Sequence, residues 1–256
     1  ADGTVTYGND SVTVDASHTE EGYLMVSYSG SNSKVKLQIT GSDEITYTYN
    51  LHDGYETFPL TSGSGSYTVG VFENIEGTSY STLFTQAIDV TIQDEFGPYL
   101  YANQYVNFSA DSKVISKAME LSASANDDLE VIENVYNYII TNFTYDYDKA
   151  ASVQSGYLPN VDEVLASQTG ICFDYAAVMA SMLRCERIPT RLEVGYMGDV
   201  YHAWISTYIK DNGWVNGIIE FDGNDWKLMD PTFASTSSDP KDFLTQTDEY
   251  ITKYVY

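Results

Sequence analysis

The sequence predicts an α+β protein: an N-terminal β-sandwich over residues 1–95, a connector over 96–110, and a domain of helices packed on an antiparallel sheet over 111–256. Three observations carry this. Residues 4–92 alternate apolar and polar side chains in short runs broken by turn sequences, with no helical period. Two stretches after residue 112 place apolar side chains at helical spacing. From residue 190 the period returns to two, so helices come first and an antiparallel sheet follows. At 256 residues the chain is long enough for two cores.

In chain order, the expected strands are TVTY, GYLMVSYSG, SKVKLQIT, EITYTYNL, YETFPL, SYTVGVFEN and SYSTLFTQAIDVTI, separated by turns such as GSD, HDG and SGSGS. A sandwich of this kind serves more often as a spacer than as a carbohydrate or partner-binding module. After the aromatic connector, a first helix is expected from about Ser112 to Ser122, with Val114, Ile115, Ala118, Met119 and Leu121 on its core face. A second runs from Asp128 to Asn142, capped by Asp127 or Asp128, with Leu129, Ile132, Val135, Tyr136, Ile139 and Ile140 inward. FTYDY reads as a short exit strand, 149–159 as a polar excursion, and VDEVLAS as a short helix leading into SQTGICFDYAAVMASMLRC. That segment has no Gly or Pro from Phe173 to Leu183 and is rich in Ala, Met and Leu, so a buried helix is expected. TRLEVGYM and VYHAWISTYIK then form strands, IIEFDGNDWKLMD a hairpin turning at Asp222-Gly223, and YITKYVY an edge strand.

Twelve basic and 37 acidic residues give a net charge of −25, which argues against nucleic acid or an anionic membrane surface as partner. The charge is spread evenly: residues 1–110 carry 14 acids and two bases, and the remainder 23 and ten. No acidic loop repeats with calcium-ligand spacing, and neither metal nor cofactor is expected. No apolar run reaches the length of a membrane span. The Tyr, Ser, Thr and Asn content of the first hundred residues fits an extracellular or cell-surface protein, with any signal segment upstream of Ala1. Cys172 and Cys185 are the two cysteines, thirteen residues apart on one expected helix. That is roughly 20 Å at 1.5 Å per residue, beyond the reach of a disulfide.

Cys172 stands where the polar loop enters the apolar helix. Unpaired N–H groups and the positive end of the helix dipole favour a thiolate there. The following strands supply the groups such a nucleophile needs. His202 is embedded in the apolar strand VYHAW, whereas His18 and His52 fall in turns of the β-domain. Asp230 ends WKLMD before Pro231. An imidazolium beside the sulfur sustains a thiolate, and a carboxylate on the far ring nitrogen fixes the imidazole.

Taken together, TGICFDYAAVMASMLR, IPTRLEVGY, HAW and DPT resemble, in this order, the core motifs of the transglutaminase-like superfamily; with the upstream helix and YDYD the resemblance covers about 110–233. It implies a papain-like fold and thiol chemistry on amide carbonyls, with Cys172 as nucleophile, His202 as general base and then acid, and Asp230 as the orienting carboxylate. A protein or peptide substrate follows, a cell-wall peptide being one such; the acyl-enzyme thioester would pass to an amine or to water. The Cys172 N–H would meet the oxyanion together with Gln154 or Gln168, and Tyr157, Tyr175, Tyr201 and Trp204 are candidates to line the cleft. Two departures stand out. Glu186-Arg187 replaces the family's usual Gly before Ile-Pro, and 27 residues separate His202 from Asp230, so a flap or longer hairpin is expected within 210–225.

Two other function classes fit parts of this reading. A cysteine protease shares the mechanism and differs in the acceptor. A non-catalytic surface scaffold needs a transglutaminase-like domain kept only for binding. A zinc site from Cys172, His202 and Asp230 lacks paired-ligand spacing.

Overall fold

The alternation of the first ninety residues becomes eight strands in a computed structural model of the chain, which describes residues 1–216, 218–221, 226–229 and 250–256. The chain divides into two units, Ala1–Pro98 and Tyr99–Tyr256. In the first unit the strands are β1 (Thr6–Gly8), β2 (Val12–Asp15), β3 (Tyr23–Tyr28), β4 (Val35–Thr40), β5 (Thr46–Asn50), β6 (Gly54–Pro59), β7 (Gly65–Glu76) and β8 (Ser79–Val90). They form two antiparallel sheets, in the orders β1-β2-β3-β6 and β5-β4-β7-β8. Period two decides which side chains are inside: Val35, Leu37 and Ile39 of β4 are buried while Lys36, Gln38 and Thr40 between them are not. Tyr49 of β5 meets Phe58 of β6 at 4.7 Å, so the inward side chains of the two sheets touch. Strand β2 is the one that the sequence reading leaves out. Four residues ending in an acid give little alternation, and Asp15 is buried because its carboxylate accepts main-chain hydrogen bonds from Gly3 and Ser17.

The second unit holds five helices among the described residues: α1 (Lys113–Ser122), α2 (Asp128–Asn142), α3 (Tyr147–Ser152), α4 (Val161–Ser167) and α5 (Cys172–Cys185). Asp127 caps α2, its Oδ1 accepting from the Glu130 N–H. The polar excursion expected from residue 149 is partly helical, because Asp146 caps α3 through the Lys149 N–H. The stripe of α1 is narrower than its pattern suggests. Val114 and Ala118 are buried, but Met119 is 62% exposed. Met119 follows Ala118 by one residue, about 100° around the helix, and so turns off the buried face.

The remaining strands are β9 (Thr144–Tyr145), β10 (Thr169–Gly170), β11 (Thr190–Met197), β12 (Val200–Ile209), β13 (Gly213–Asn216), β14 (Ile218–Phe221), β15 (Trp226–Met229) and β16 (Tyr250–Val255). β9 pairs with β10 in parallel, and β14 with β15 antiparallel. The main sheet runs β13-β12-β11-β16, which puts YITKYV at its edge. The strands β13 and β14 fall within 210–225, where extra chain is expected. Asp222-Gly223, Asp230 and the DPT motif lie outside the described residues.

Helix α5 is buried from Asp174 to Arg184 and packs against β11, β12, α1, α2 and α4. A helix covered on so many sides has few routes for satisfying its ends. At its C-terminus Ile188 N–H donates to Leu183 O (3.0 Å) and Arg187 N–H to Arg184 O (2.9 Å), the paired bonds of a Schellman motif. That motif demands a left-handed residue, and Arg187 supplies it at φ 64°. Arg184, 1% exposed, donates from Nε to Thr190 O (2.9 Å), from one terminal nitrogen to Tyr101 O (2.8 Å) and from the other to Tyr256 O (2.7 Å). One guanidinium thereby joins the helix end, the start of β11, the segment after Tyr99 and the C-terminal residue.

Two substitutions test this packing by urea denaturation. Arg187→Gly relieves the left-handed conformation and should stabilise the second unit by about 0.5–1 kcal/mol. Arg184→Met strands three buried carbonyls and should cost about 3 kcal/mol; a loss below about 1 kcal/mol would show that those carbonyls find other donors.

Candidate active site

Two short loops and a helix end build the candidate site from below. Cys172 is the first residue of α5, with Ile171 as the residue before the helix. The main-chain N–H groups of the first turn have no intrahelical acceptors, so the turn needs partners from outside. Asp174, two residues on and fully buried, supplies one: its Oδ2 accepts from the Ile171 N–H at 2.9 Å. An acid at this helix position returns to the chain entering the helix, and the dipole favours its charge. Gly170 makes room for it, since a Cβ there would lie 2.6 Å from the Asp174 Cβ.

The same carboxylate is held from α3 and the loop beyond. Lys149 Nζ donates to Asp174 Oδ2 at 2.7 Å and to the Tyr157 hydroxyl at 2.6 Å, and the Tyr157 hydroxyl donates to Asp174 Oδ1. The ammonium also lies 4.4 Å from the Tyr157 ring centroid. Burial opposes the Lys149 charge, but the bonds to Asp174 and Tyr157 outweigh it and hold the group above the usual lysine range. Burial, then the hydrogen bond to Asp174, pushes the Tyr157 phenol up to about 12. The sequence reading includes Tyr157 only as a lining residue and omits Lys149 and Asp174. An acid two residues after the cysteine, at a helix start, is the signal for Asp174; no local pattern points to Lys149, 25 residues away.

The sulfur of Cys172 is half-buried and free. Burial, followed by the nearby Cys172 thiol, pushes the Tyr145 phenol up to about 12. Burial, the Tyr254 and Tyr196 phenols and then Cys172 raise Tyr201. Tyr145 of β9 and Tyr201 of β12 are therefore both within electrostatic reach of Cys172. His202, the residue after Tyr201, is buried, with its ring 6.1 Å from Trp204 and 6.3 Å from Tyr250. Helix α5 packs on the strand that carries it.

The other candidates are distributed differently. Tyr201 is 61% exposed and free to line a cleft, whereas Tyr175 and Trp204 are interior side chains. Tyr175 packs edge-on to Phe143 and Tyr145, and the Trp204 Nε1 donates to Glu193 at 3.1 Å. Full burial removes both from any open surface, which corrects the expectation that they line a cleft. Each of the two glutamine side-chain amides uses one of its two N–H groups locally. Gln154 donates to Ser152 O at 2.8 Å and Gln168 to the Tyr138 hydroxyl at 3.3 Å. At the far end of α5, Cys185 donates its S–H to Met182 O, and burial pushes its thiol up to about 12. Among the described residues, no group of three or more His, Cys, Asp or Glu is placed to hold a metal ion.

Residues 115–217, 103 of the 256, match the family model of the transglutaminase-like superfamily. The match includes Cys172 and His202 and ends before Asp230. A UPF0252 protein of Methanocaldococcus jannaschii is 26% identical over 111 residues, 39% of this chain and 32% of the relative, so the chain spans about a third of that protein's length. Among solved structures, a candidate cysteine protease from Cytophaga hutchinsonii aligns with a TM-score of 0.45 at 16% identity, covering 98% of this chain and 78% of the other. Red sea bream transglutaminase aligns with a TM-score of 0.35 at 13% identity, over 90% of this chain and 49% of its own.

Because Lys149 and Tyr157 titrate higher in the folded chain than their ordinary values of 10.5 and 10.0, their contribution to stability is fully present below about pH 10. It is lost as pH rises towards 12. Melting temperature should therefore fall across this window, and less steeply in Tyr157→Phe; equal slopes would show that the Asp174 cluster does not report on folding. Asp174→Ala, which leaves Lys149 and the Ile171 N–H without their acceptor, should cost about 2–3 kcal/mol in urea denaturation.

Proposed function

We propose that the chain is a cysteine-dependent acyl-transfer enzyme acting on amide groups of proteins or peptides, cell-wall peptide among them, at the extracellular or cell-surface location that its composition suggests. One observation carries the reading: the half-buried cysteine opens a buried helix that packs on the strand of His202, inside the segment matching the transglutaminase-like superfamily. Among the described residues no helix is long and apolar enough to cross a membrane.

In the proposed reaction Cys172 gives its proton to His202, and the thiolate sulfur attacks the amide carbonyl carbon. A C–S bond forms while the carbonyl electrons move to oxygen, which the Cys172 N–H at the helix start meets. Collapse breaks the C–N bond, and the His202 imidazolium protonates the departing nitrogen. The result is a thioester and a free amine or ammonia. His202 then takes a proton from the acceptor, an amine or water, whose attack breaks the C–S bond and restores the thiol pair. Asp230 is assigned as the carboxylate that orients the imidazole. An amine acceptor gives a crosslink, and water gives deamidation or peptide cleavage. Gln154 or Gln168, each of whose amides has a second N–H beyond the bond it makes to Ser152 O or the Tyr138 hydroxyl, is the candidate side-chain donor to the oxyanion.

The test is incorporation of a labelled primary amine into casein, with new N-termini scored in parallel. Either product should disappear in Cys172→Ala, fall at least about 100-fold in His202→Ala, and persist in Cys185→Ser. Turnover that survives Cys172→Ala would overturn the proposal, and the ratio of the two products identifies the acceptor.

A further inference from the structure

One buried acid near the candidate imidazole has no part in this chemistry. Glu193 of β11 is 5% exposed, and its carboxylate accepts hydrogen bonds from Trp204 Nε1 at 3.1 Å, from the Ser206 hydroxyl and from the Thr252 hydroxyl at 3.3 Å. Among the described residues no Lys, Arg or His is ion-paired with it. The indole N–H can only donate, and both hydroxyls can donate, so the surroundings suit an ionised carboxylate. A buried charge without a counter-charge is costly, and such costs concentrate where a site uses the charge.

Register shows what Glu193 holds. On β11 and β12, Glu193 faces Trp204 and Gly195 faces His202. Alternation puts Glu193, His202, Trp204 and Ser206 on one face of the sheet. Trp204 lies nearly parallel to the imidazole, at 28° between planes. Tyr250 touches both rings, at 6.3 Å from His202 and 4.9 Å from Trp204. Thr252 shares the face of Tyr250, two residues along β16. At Gly195 the backbone of β16 comes so near that a Cβ would lie 2.0 Å from the Ile251 carbonyl oxygen, at a break in the β11–β16 register. One carboxylate therefore ties Trp204 directly, and Tyr250 through its strand, into the wall against which His202 rests.

We infer that Glu193 is a positioning residue for His202, fixing that aromatic wall and placing a negative charge on the same face, two register pairs from the imidazole. The inference rests on the acyl-transfer reading of Cys172 and His202. A negative charge on the same face as the ring favours the imidazolium, and hence the thiolate paired with it. On the face of the ring the other titratable group among the described residues is Tyr250 on β16, while Tyr201, its neighbour on β12, projects to the opposite face.

The experiment is the pH dependence of iodoacetamide alkylation at Cys172, with Cys185 as internal control, in the full chain and in His202→Ala, Glu193→Gln and Trp204→Phe, alongside each variant's melting temperature. Glu193→Gln keeps shape and removes charge; it should move the midpoint of Cys172 alkylation upward by about one pH unit. Trp204→Phe keeps the charge and cuts the indole link, and should move it in the same direction by less. If Glu193→Gln does not fold, Trp204→Phe carries the test alone. Lower melting temperatures with an unmoved midpoint would assign Glu193 to packing and overturn the inference. The parent reading fails separately, if Cys172 in the unsubstituted chain alkylates like Cys185 and His202→Ala changes nothing.

Discussion

The second unit depends on the burial of one helix. From Asp174 to Arg184 every residue of α5 is buried, with strands and other helices packed around it. Apolar side chains settle the middle, since Ala176, Ala177, Met179, Ala180 and Leu183 need only contact. The ends are harder, because exposed main-chain groups and charged side chains are drawn in with the rest. Asp174 answers at one end with the Ile171 N–H, Lys149 and Tyr157. Arg184 answers at the other with three main-chain carbonyls. These are specific geometries rather than generic burial, so they fix the helix along its own axis as well as against the sheet.

That axial fixing matters for the chemistry, since Cys172 is the first residue of the helix and any slide of α5 moves the sulfur. The two cysteines of α5 stand at its opposite ends. Cys185, at the last turn, is half-buried, bonded to Met182 O and pushed far up in pKa. Cys172, also half-buried, stands at the positive end of the helix with Tyr145 and Tyr201 within electrostatic reach.

A second economy appears on the sheet, where a buried carboxylate joins three strands. Glu193 comes from β11, Trp204 and Ser206 from β12, and Thr252 from β16. The C-terminal strand is thereby bound to the strand of the candidate imidazole by side chains as well as by the main chain. Arg184, bonded to Tyr256 O, ties that terminus to the helix too. Helix, sheet and C-terminus are coupled through buried polar groups at both candidate residues' backs.

What the sequence determined by itself was set by local pattern. Period-two alternation located most of the strands, helical spacing and the Asp127 cap located α2, and a polar loop running into an apolar helix put Cys172 at the start of α5. Three motifs in order led to the superfamily that residues 115–217 match. The failures share one cause. Met119 is exposed while Tyr175 and Trp204 are buried, because exposure depends on what packs opposite a side chain, which no periodicity records. Lys149 joins Asp174 across 25 residues, Arg184 reaches Tyr101 and Tyr256, and Glu193 meets Thr252. Such bonds are decided only in tertiary structure, because a buried charge takes the nearest partner in space, and chain separation places no limit on which residue that is.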